Sequence, residues 1–270
     1  MFLQTPQLIG IPRTLLLTLR GRADEHQRSD ALFQDDLAVK WSQSLPWDED
    51  LQKLYNPITQ ATWGVRAYHF DRVAERHIAS HASPLVVELG AGLSTRYYRL
   101  QQDNLHWIEL DLPEVTTIRH QLDVETEKHQ FQSASVMDFS WMDALPVRNP
   151  EEILFISEGL LMYFEATQVQ QLVYQMRSRF PGATWVMDVV GKIAKKTGKP
   201  LEKLGAPLKW FVNNEREVEA MGLSLVNIWY PYRGYPPYSQ RWPLPLRLLA
   251  QLPYFRNGFL IIESKIEPLP

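Results

Sequence analysis

At 270 residues, with 28 Lys and Arg against 31 Asp and Glu and a formal net charge of −3, the chain can bury one substantial core and has no overall basic surface suited to nucleic acid. The lack of cysteine excludes disulfides, thiolate catalysis and Cys-ligated zinc. No run of about 18 apolar residues offers a membrane span, and Leu15-Leu16-Leu17 follows Arg13 without a small-residue cleavage site, so a cytoplasmic protein with no membrane partner is expected.

Residues 1–83 read as a mostly helical cap. From Asp30 to Trp41, Leu32, Phe33, Leu37 and Trp41 recur at helical spacing, with Asp30 as a candidate N-cap. Such a helix is either packed on the core surface or a lid over a ligand. A second helix is expected from Trp63 to Ala79. In it Arg66 shares its spacing with Phe70 and Val73, so its stem can lie on the core while its fork grips a carboxylate. The alternative for Arg66 is a surface pair with Asp71 or Glu75.

Pro84 introduces Leu85-Val86-Val87-Glu88-Leu89, the apolar pattern of a buried parallel strand. Gly90-Ala91-Gly92 follows, then a Ser94-Thr95 pair that can open a helix. Glycine at 90 and 92 lets the backbone approach a ligand where a side chain would fill the space. A second apolar run, Leu105 to Leu110, ends at Asp111. Strand, glycine turn, helix, strand and terminal carboxylate present an acid to the two hydroxyls of a ribose, which points to an adenosine-type cofactor. A dinucleotide is the rival. Thr95, however, holds the place of the third glycine of G-x-G-x-x-G, and S-adenosylmethionine (SAM) has no pyrophosphate to be held.

Pro113 and Glu114 suit the first turn of a helix running to Glu127 or Lys128. Gln130 to Ala134 reads as a third strand. Beyond it, Asp138 and Phe139 could meet an adenine amino group and ring, or form an ordinary loop. Glu152 to Gly159 reads as the fourth strand. Glu88, Asp111, Asp138 and Glu158 thus fall at or close to the ends of four successive strands, where open α/β sheets bind ligands. They favour a polar, hydroxyl-rich or cationic ligand. No His-rich set accompanies them, so no metal is expected.

Gln168 to Phe180 is an amphipathic helix stopped by Pro181-Gly182, and Thr184 to Val190 is the fifth strand. The Lys-rich Gly191–Leu204 reads as a solvated helix or loop in preference to a membrane-binding one. A helix from Asn214 to Met221 leads to a sixth strand, Leu223 to Tyr230, and Phe259 to Ile262 is the last. Between these two strands Trp229 to Pro245 is rich in aromatics and proline. Trp210, Arg233 and Tyr235 are candidates for a substrate pocket, although such rings could equally pin a loop to the surface. One domain is expected: a cap (1–83), a cofactor-binding core (84–190), and a substrate-side insertion with the last strands (191–270).

Several separated stretches carry a family resemblance: Thr14-Leu15-Leu16 with Arg22-Ala23-Asp24-Glu25; Arg66 with Asp71; Glu88-Leu89-Gly90-Ala91-Gly92-Leu93-Ser94-Thr95-Arg96; Glu109-Leu110-Asp111-Leu112-Pro113-Glu114-Val115; and Ser157-Glu158-Gly159-Leu160-Leu161-Met162-Tyr163-Phe164. The chain resembles the leucine carboxyl methyltransferase family, especially its bacterial polyketide O-methyltransferase-like branch. The resemblance implies an α/β fold, a Rossmann-like seven-stranded class I methyltransferase sheet with helices on both faces and an antiparallel edge. It implies SAM as cofactor. Arg66 would hold the methionyl carboxylate, Gly90 and Gly92 would wrap the methionyl part, and Asp111 would bind the ribose. Asp138 and Phe139 would flank the adenine, Glu158 would face the methionyl amine or methyl end with Glu88 near the same turn, and Arg22 would close over the cofactor. The C-terminal third does not preserve the residues with which the eukaryotic branch grips a peptide's terminal carboxylate. The expectation is O-methylation of a small-molecule carboxylate or hydroxyl. Glu158 and Tyr163 would sit at the reacting centre and Arg233 would orient an anionic acceptor. Protein C-terminal carboxyl methylation, a non-catalytic SAM-binding module and a nicotinamide oxidoreductase are the alternatives, and oligomeric state is left open.

Overall fold

In the computed structural model, residues 8–146 and 148–270 are described. The apolar runs form seven strands: β1 (Leu85–Leu89), β2 (His106–Asp111), β3 (His129–Ser133), β4 (Ile153–Ser157), β5 (Thr184–Val190), β6 (Leu223–Trp229) and β7 (Phe259–Ile266). They make one sheet of order β3-β2-β1-β4-β5-β7-β6. The first five are parallel, and β7 runs antiparallel to both β5 and β6. The antiparallel strand is therefore not the edge expected from the sequence. The long connection from 230 to 258 returns the chain between β5 and β6. The more apolar β7 takes the inner place, and β6, with exposed Ser224, Val226 and Asn227, takes the rim.

Strand order reverses between β1 and β4, so a crevice opens outside their carboxyl ends. Successive side chains of a strand point to opposite faces, and each face has its own helical cover. The first cap helices are α1 (Leu15–His26), α2 (Asp36–Ser44) and α3 (Glu49–Leu54); α4 (Pro57–Ser80), α5 (Arg96–Leu100), α6 (Pro113–Leu122) and α7 (Ala166–Arg179) follow. On one face Val169, Leu172, Val173 and Met176 of α7 pack on Val87, Phe155 and Trp185. On the other, Phe70, Val73, Ala74 and Ile78 of α4 pack on Val86, Leu154, Ile156 and Val186. Each such Val, Leu, Ile, Phe or Met side chain withdrawn from water contributes ~1.5–3 kcal/mol. No helix among the described residues is long and apolar enough to cross a membrane.

Helix starts follow side-chain caps. Asp35, not Asp30, caps α2 by accepting from Ala38 N at 2.9 Å, while Asp30 pairs with Arg28 at 2.7 Å. Helix α4 begins at Pro57 rather than Trp63, because Asn56 and Thr59 form a reciprocal capping box. Helix α6 stops at Leu122, short of Glu127, since a turn pairing Thr126 with His129 already leads into β3. Leucines of α1 join Trp41 of α2, Leu51 of α3, and Val115 and Ile118 of α6 in a third core cluster. That packing fixes α1 over the carboxyl ends of the strands.

Candidate active site

A cavity of about 790 Å³ occupies the crevice, within the range of roughly 300–1,000 Å³ common to small-molecule sites. Its floor is the turn after β1. Gly90 and Gly92 both adopt positive φ, 66° and 58°. A Cβ on Gly90 would lie 2.7 Å from Leu160 Cδ1, whereas one on Gly92 would meet only Leu15, at an ordinary 3.4 Å. Close approach and positive φ favour glycine at 90, and positive φ alone favours it at 92. Asp111, at the tip of β2, accepts from Gly92 N at 2.6 Å and from Leu112 N at 2.7 Å. These bonds fix its carboxylate at the cavity wall with acceptor capacity left for ligand hydroxyls. Burial, only partly opposed by those two N–H groups, lifts its carboxyl to about 6.

Behind this floor lies a buried ionic network. Arg96, 1% exposed, donates to Asp71 at 2.7 Å and to both Glu88 and Glu158. Arg66 reaches the other oxygen of Glu158 at 2.9 Å and Asp188 at 3.3 Å. Arg99 joins Asp71 at 2.9 Å to Asp35 at 2.6 Å. Arg22 donates to the Leu93 carbonyl at 2.6 Å and lies 3.6 Å from Asp35. Four guanidinium groups thus face five carboxylates. With all of them ionised the network carries one net negative charge.

The surroundings set each titration. Burial disfavours the charge of Glu158, but Arg66 and Arg96 outweigh it and bring the carboxyl down to about 2. Burial of Glu88 is only partly offset by Arg96 and lifts it to about 7. Asp188, with no exposure, is raised by burial against the pull of Arg66 and of Gly159 N, which donates to it at 2.6 Å. Burial lowers Arg22 to about 10.

Arg22, Arg66, Glu88, Gly90, Gly92, Asp111, Glu158 and Tyr163 all border the cavity. The Tyr163 phenol is raised by burial and faces Thr14 and Arg66. Five other candidates are not brought there. Asp138 is exposed and caps a short turn by accepting from Ser140 N at 3.2 Å, with Phe139 beside it. Ser135 and Val136 border the cavity in their stead, because the chain turns inward sooner after β3 than the strand-end pattern suggested. Trp210 is packed into the core cluster under β5. Arg233 donates to Gln251 at 3.3 Å, and Tyr235 packs against Tyr238. From that proline-rich loop Tyr232 reaches the cavity. The lid reading of α2 also fails: the cover comes from Ile11, Pro12, Thr14, Leu15 and Thr18 at the start of α1.

Sequence reasoning missed Arg96 and Asp188. The signal for Asp188 was present, a lone carboxylate inside the otherwise apolar Thr184–Val190. Burial of such a group demands a cation, and Arg66 supplies it.

A sheet of this order, with a glycine turn after β1 and a carboxylate at the tip of β2, is the class I methyltransferase architecture, and the protein is a SAM-dependent methyltransferase. The residues present fit that cofactor: the open cradle at Gly90 and Gly92, the hydroxyl-accepting Asp111, and the carboxylate of Glu158, held ionised by Arg66 and Arg96 at the cavity wall. The leucine carboxyl methyltransferase model matches residues 16–177, and the chain belongs to that family. It is 27% identical over 226 residues to the tetracenomycin polyketide synthesis O-methyltransferase TcmP of Streptomyces glaucescens, covering 80% of this chain and 81% of that one. It is 23% identical over 234 residues to the SAM-dependent methyltransferase dpfgK of Gibberella zeae, covering 78% of each. In fold it is similar to a Thermobifida fusca protein described as a candidate methyltransferase, with a TM-score of 0.62 and 15% identity over 96% of this chain and 95% of that one.

Proposed function

We propose that the protein methylates an oxygen of a small acidic molecule, a carboxylate or a readily ionised hydroxyl. The carrying observation is the lack of a free base. Among the described residues lining the cavity there is no histidine, lysine or cysteine. Each of its carboxylates has at least one oxygen engaged by the protein: Glu88 and Glu158 by arginine, Asp188 by Arg66 and Gly159 N, Asp111 by Gly92 N and Leu112 N. The second oxygen of Glu88 has no protein partner but is itself buried, on a carboxylate pinned by Arg96. An alcohol acceptor needs its proton removed during transfer, and an amine that is protonated near pH 7 must lose one beforehand. A carboxylate is already a nucleophile near pH 7.

SAM supplies the electrophilic methyl group. The chain's part is to bind, align and exclude water, which is where in-line transfer gains most of its rate. Arg66, held rigidly by Glu158 and Asp188, can orient an anionic group. Ile58, Trp63, Ile193, Leu208, Tyr232 and Phe255 wall the remaining space with apolar and aromatic surface suited to a hydrophobic acceptor body. The likeness to a polyketide O-methyltransferase supports the same reading. The test is methyl transfer from labelled SAM to matched aromatic acids, phenols, alcohols and amines. Turnover of the acids or acidic phenols, with a rate flat above the acceptor's own pKa, is expected. Preferential turnover of alcohols or amines, with a pH profile reporting an enzyme base, would overturn the proposal.

A further inference from the structure

The cofactor chemistry makes no use of the charge and apolar surface that gather after Gly191. Residues 191–258 hold eleven Lys and Arg against four Glu, and residues 220–262 contain no acid. Arg241 is buried against Glu25, and Lys209 pairs with Glu165, so a local excess of five cations remains in a chain of −3. Two pieces of this segment help to wall the cavity. Ile193, Ala194 and Thr197 line it from the Lys-rich turn, and Leu246 and Phe255 line it from the helices Leu244–Leu249 and Pro253–Arg256. The two pieces are joined directly, since Gly191 N donates to Gly258 O at 3.0 Å.

The helix Leu244–Leu249 is apolar on both sides but covered on only one. Leu246 faces the cavity, and Ala250 one turn on is fully buried. On the other side Leu244 and Leu248 are each 62% exposed, and Leu252 and Tyr254 continue the surface at 54% and 55%. An ordinary surface helix would be polar there. Lys192, Lys195, Lys196, Lys199 and Lys203 are exposed on the adjoining turn. Protruding leucines and a tyrosine, on a segment joined to a lysine-rich turn, have the composition of a surface that lies in the headgroup region of a bilayer: apolar tips enter the acyl boundary and lysines meet anionic lipid.

We infer that this patch docks on an anionic lipid surface and sets the mouth of the cavity against the bilayer. The inference does not depend on which atom is methylated. It runs against the expectation of no membrane partner and against the solvated reading of 191–204, because a surface can lie on a bilayer without crossing it. A second copy of the chain is a poorer occupant, since a two-fold contact through this patch would set like charge against like charge.

The test is flotation of the full chain with vesicles of phosphatidylcholine containing phosphatidylglycerol, against phosphatidylcholine alone. Partition at least about tenfold higher onto the anionic vesicles is expected, falling in ~1 M salt, where charges are screened within ~3 Å. The double variants L244S/L248S and K195E/K199E should each lose at least about tenfold, while SAM titration shows that both remain folded. Failure to float with either vesicle, in protein that binds SAM, would overturn the inference and leave the proposed chemistry standing. So would a leucine-dependent dimer in light scattering, or leucine-dependent capture of an acidic protein in place of vesicles.

Discussion

Replacing Arg96 by methionine keeps the apolar stem and removes the charge at the centre of the ionic network. Asp71, Glu88 and Glu158 would each lose a donor they now share in a site that is 1% exposed. Removing one partner of a buried pair costs ~3–5 kcal/mol. In a domain of this size that lowers Tm by roughly 6–20 °C. The loss should depend on pH, with a definite sign. Glu88 already sits at about 7 in the folded chain, above the ~4.3 of an unfolded glutamate. Its folding penalty is nil below the unfolded value and grows as pH rises towards the folded one. Without Arg96 the folded value rises further, so R96M should be destabilised more at pH 8 than at pH 6. Urea denaturation of both proteins at the two pH values measures this. A loss under ~1 kcal/mol, equal at both, would refute the view that Arg96 neutralises the buried acids.

Glu88→Gln removes the group responsible for that titration, so its stability should fall less than that of the parent between pH 5 and pH 7 in urea denaturation. Ribose hydroxyls donating to Asp111 favour its ionised form, so SAM affinity should weaken as pH drops below about 6, and Asp111→Asn should abolish that dependence in calorimetry. Gly92→Ala forces an alanine into positive φ and puts a methyl at the cavity floor, and should weaken SAM binding more than it lowers Tm, as comparison of the two readings shows. Ile78→Ala empties a buried position near the end of α4 remote from Arg66. It should cost ~2–5 kcal/mol in denaturation and leave the Kd for SAM unchanged.

The cofactor half of the site was legible because its signals are local. Glycines at 90 and 92 and the acid at 111 lie within a few residues of the strands that position them, and apolar runs of strand length locate those strands. What the sequence hid depends on long-range meetings. Arg66 and Asp188 are 122 residues apart, and only the packing of α4 beside β5 joins them. Asp138 illustrates the opposite error: an acid near a strand end looks the same whether it faces a ligand or caps a turn, and here it caps. Trp210, Arg233 and Tyr235 have pocket chemistry but lie on connections whose course is set by tertiary contacts. One turn of register in that loop gives Tyr232 to the cavity and leaves Tyr235 against Tyr238. The place of β7 was likewise not local, because its pairing with β5 is chosen by the burial of a strand more apolar than β6.

The central claim is that the crevice floored by Gly90, Gly92 and Asp111 holds SAM. Calorimetric titration of the parent and of Asp111→Ala with SAM and with NAD tests it most directly. The parent should bind SAM and not NAD. The variant should lose roughly tenfold to a hundredfold in SAM affinity, the worth of hydrogen bonds to a charged acceptor. Folded parent protein that binds no SAM, or SAM binding untouched by loss of Asp111, would contradict the account.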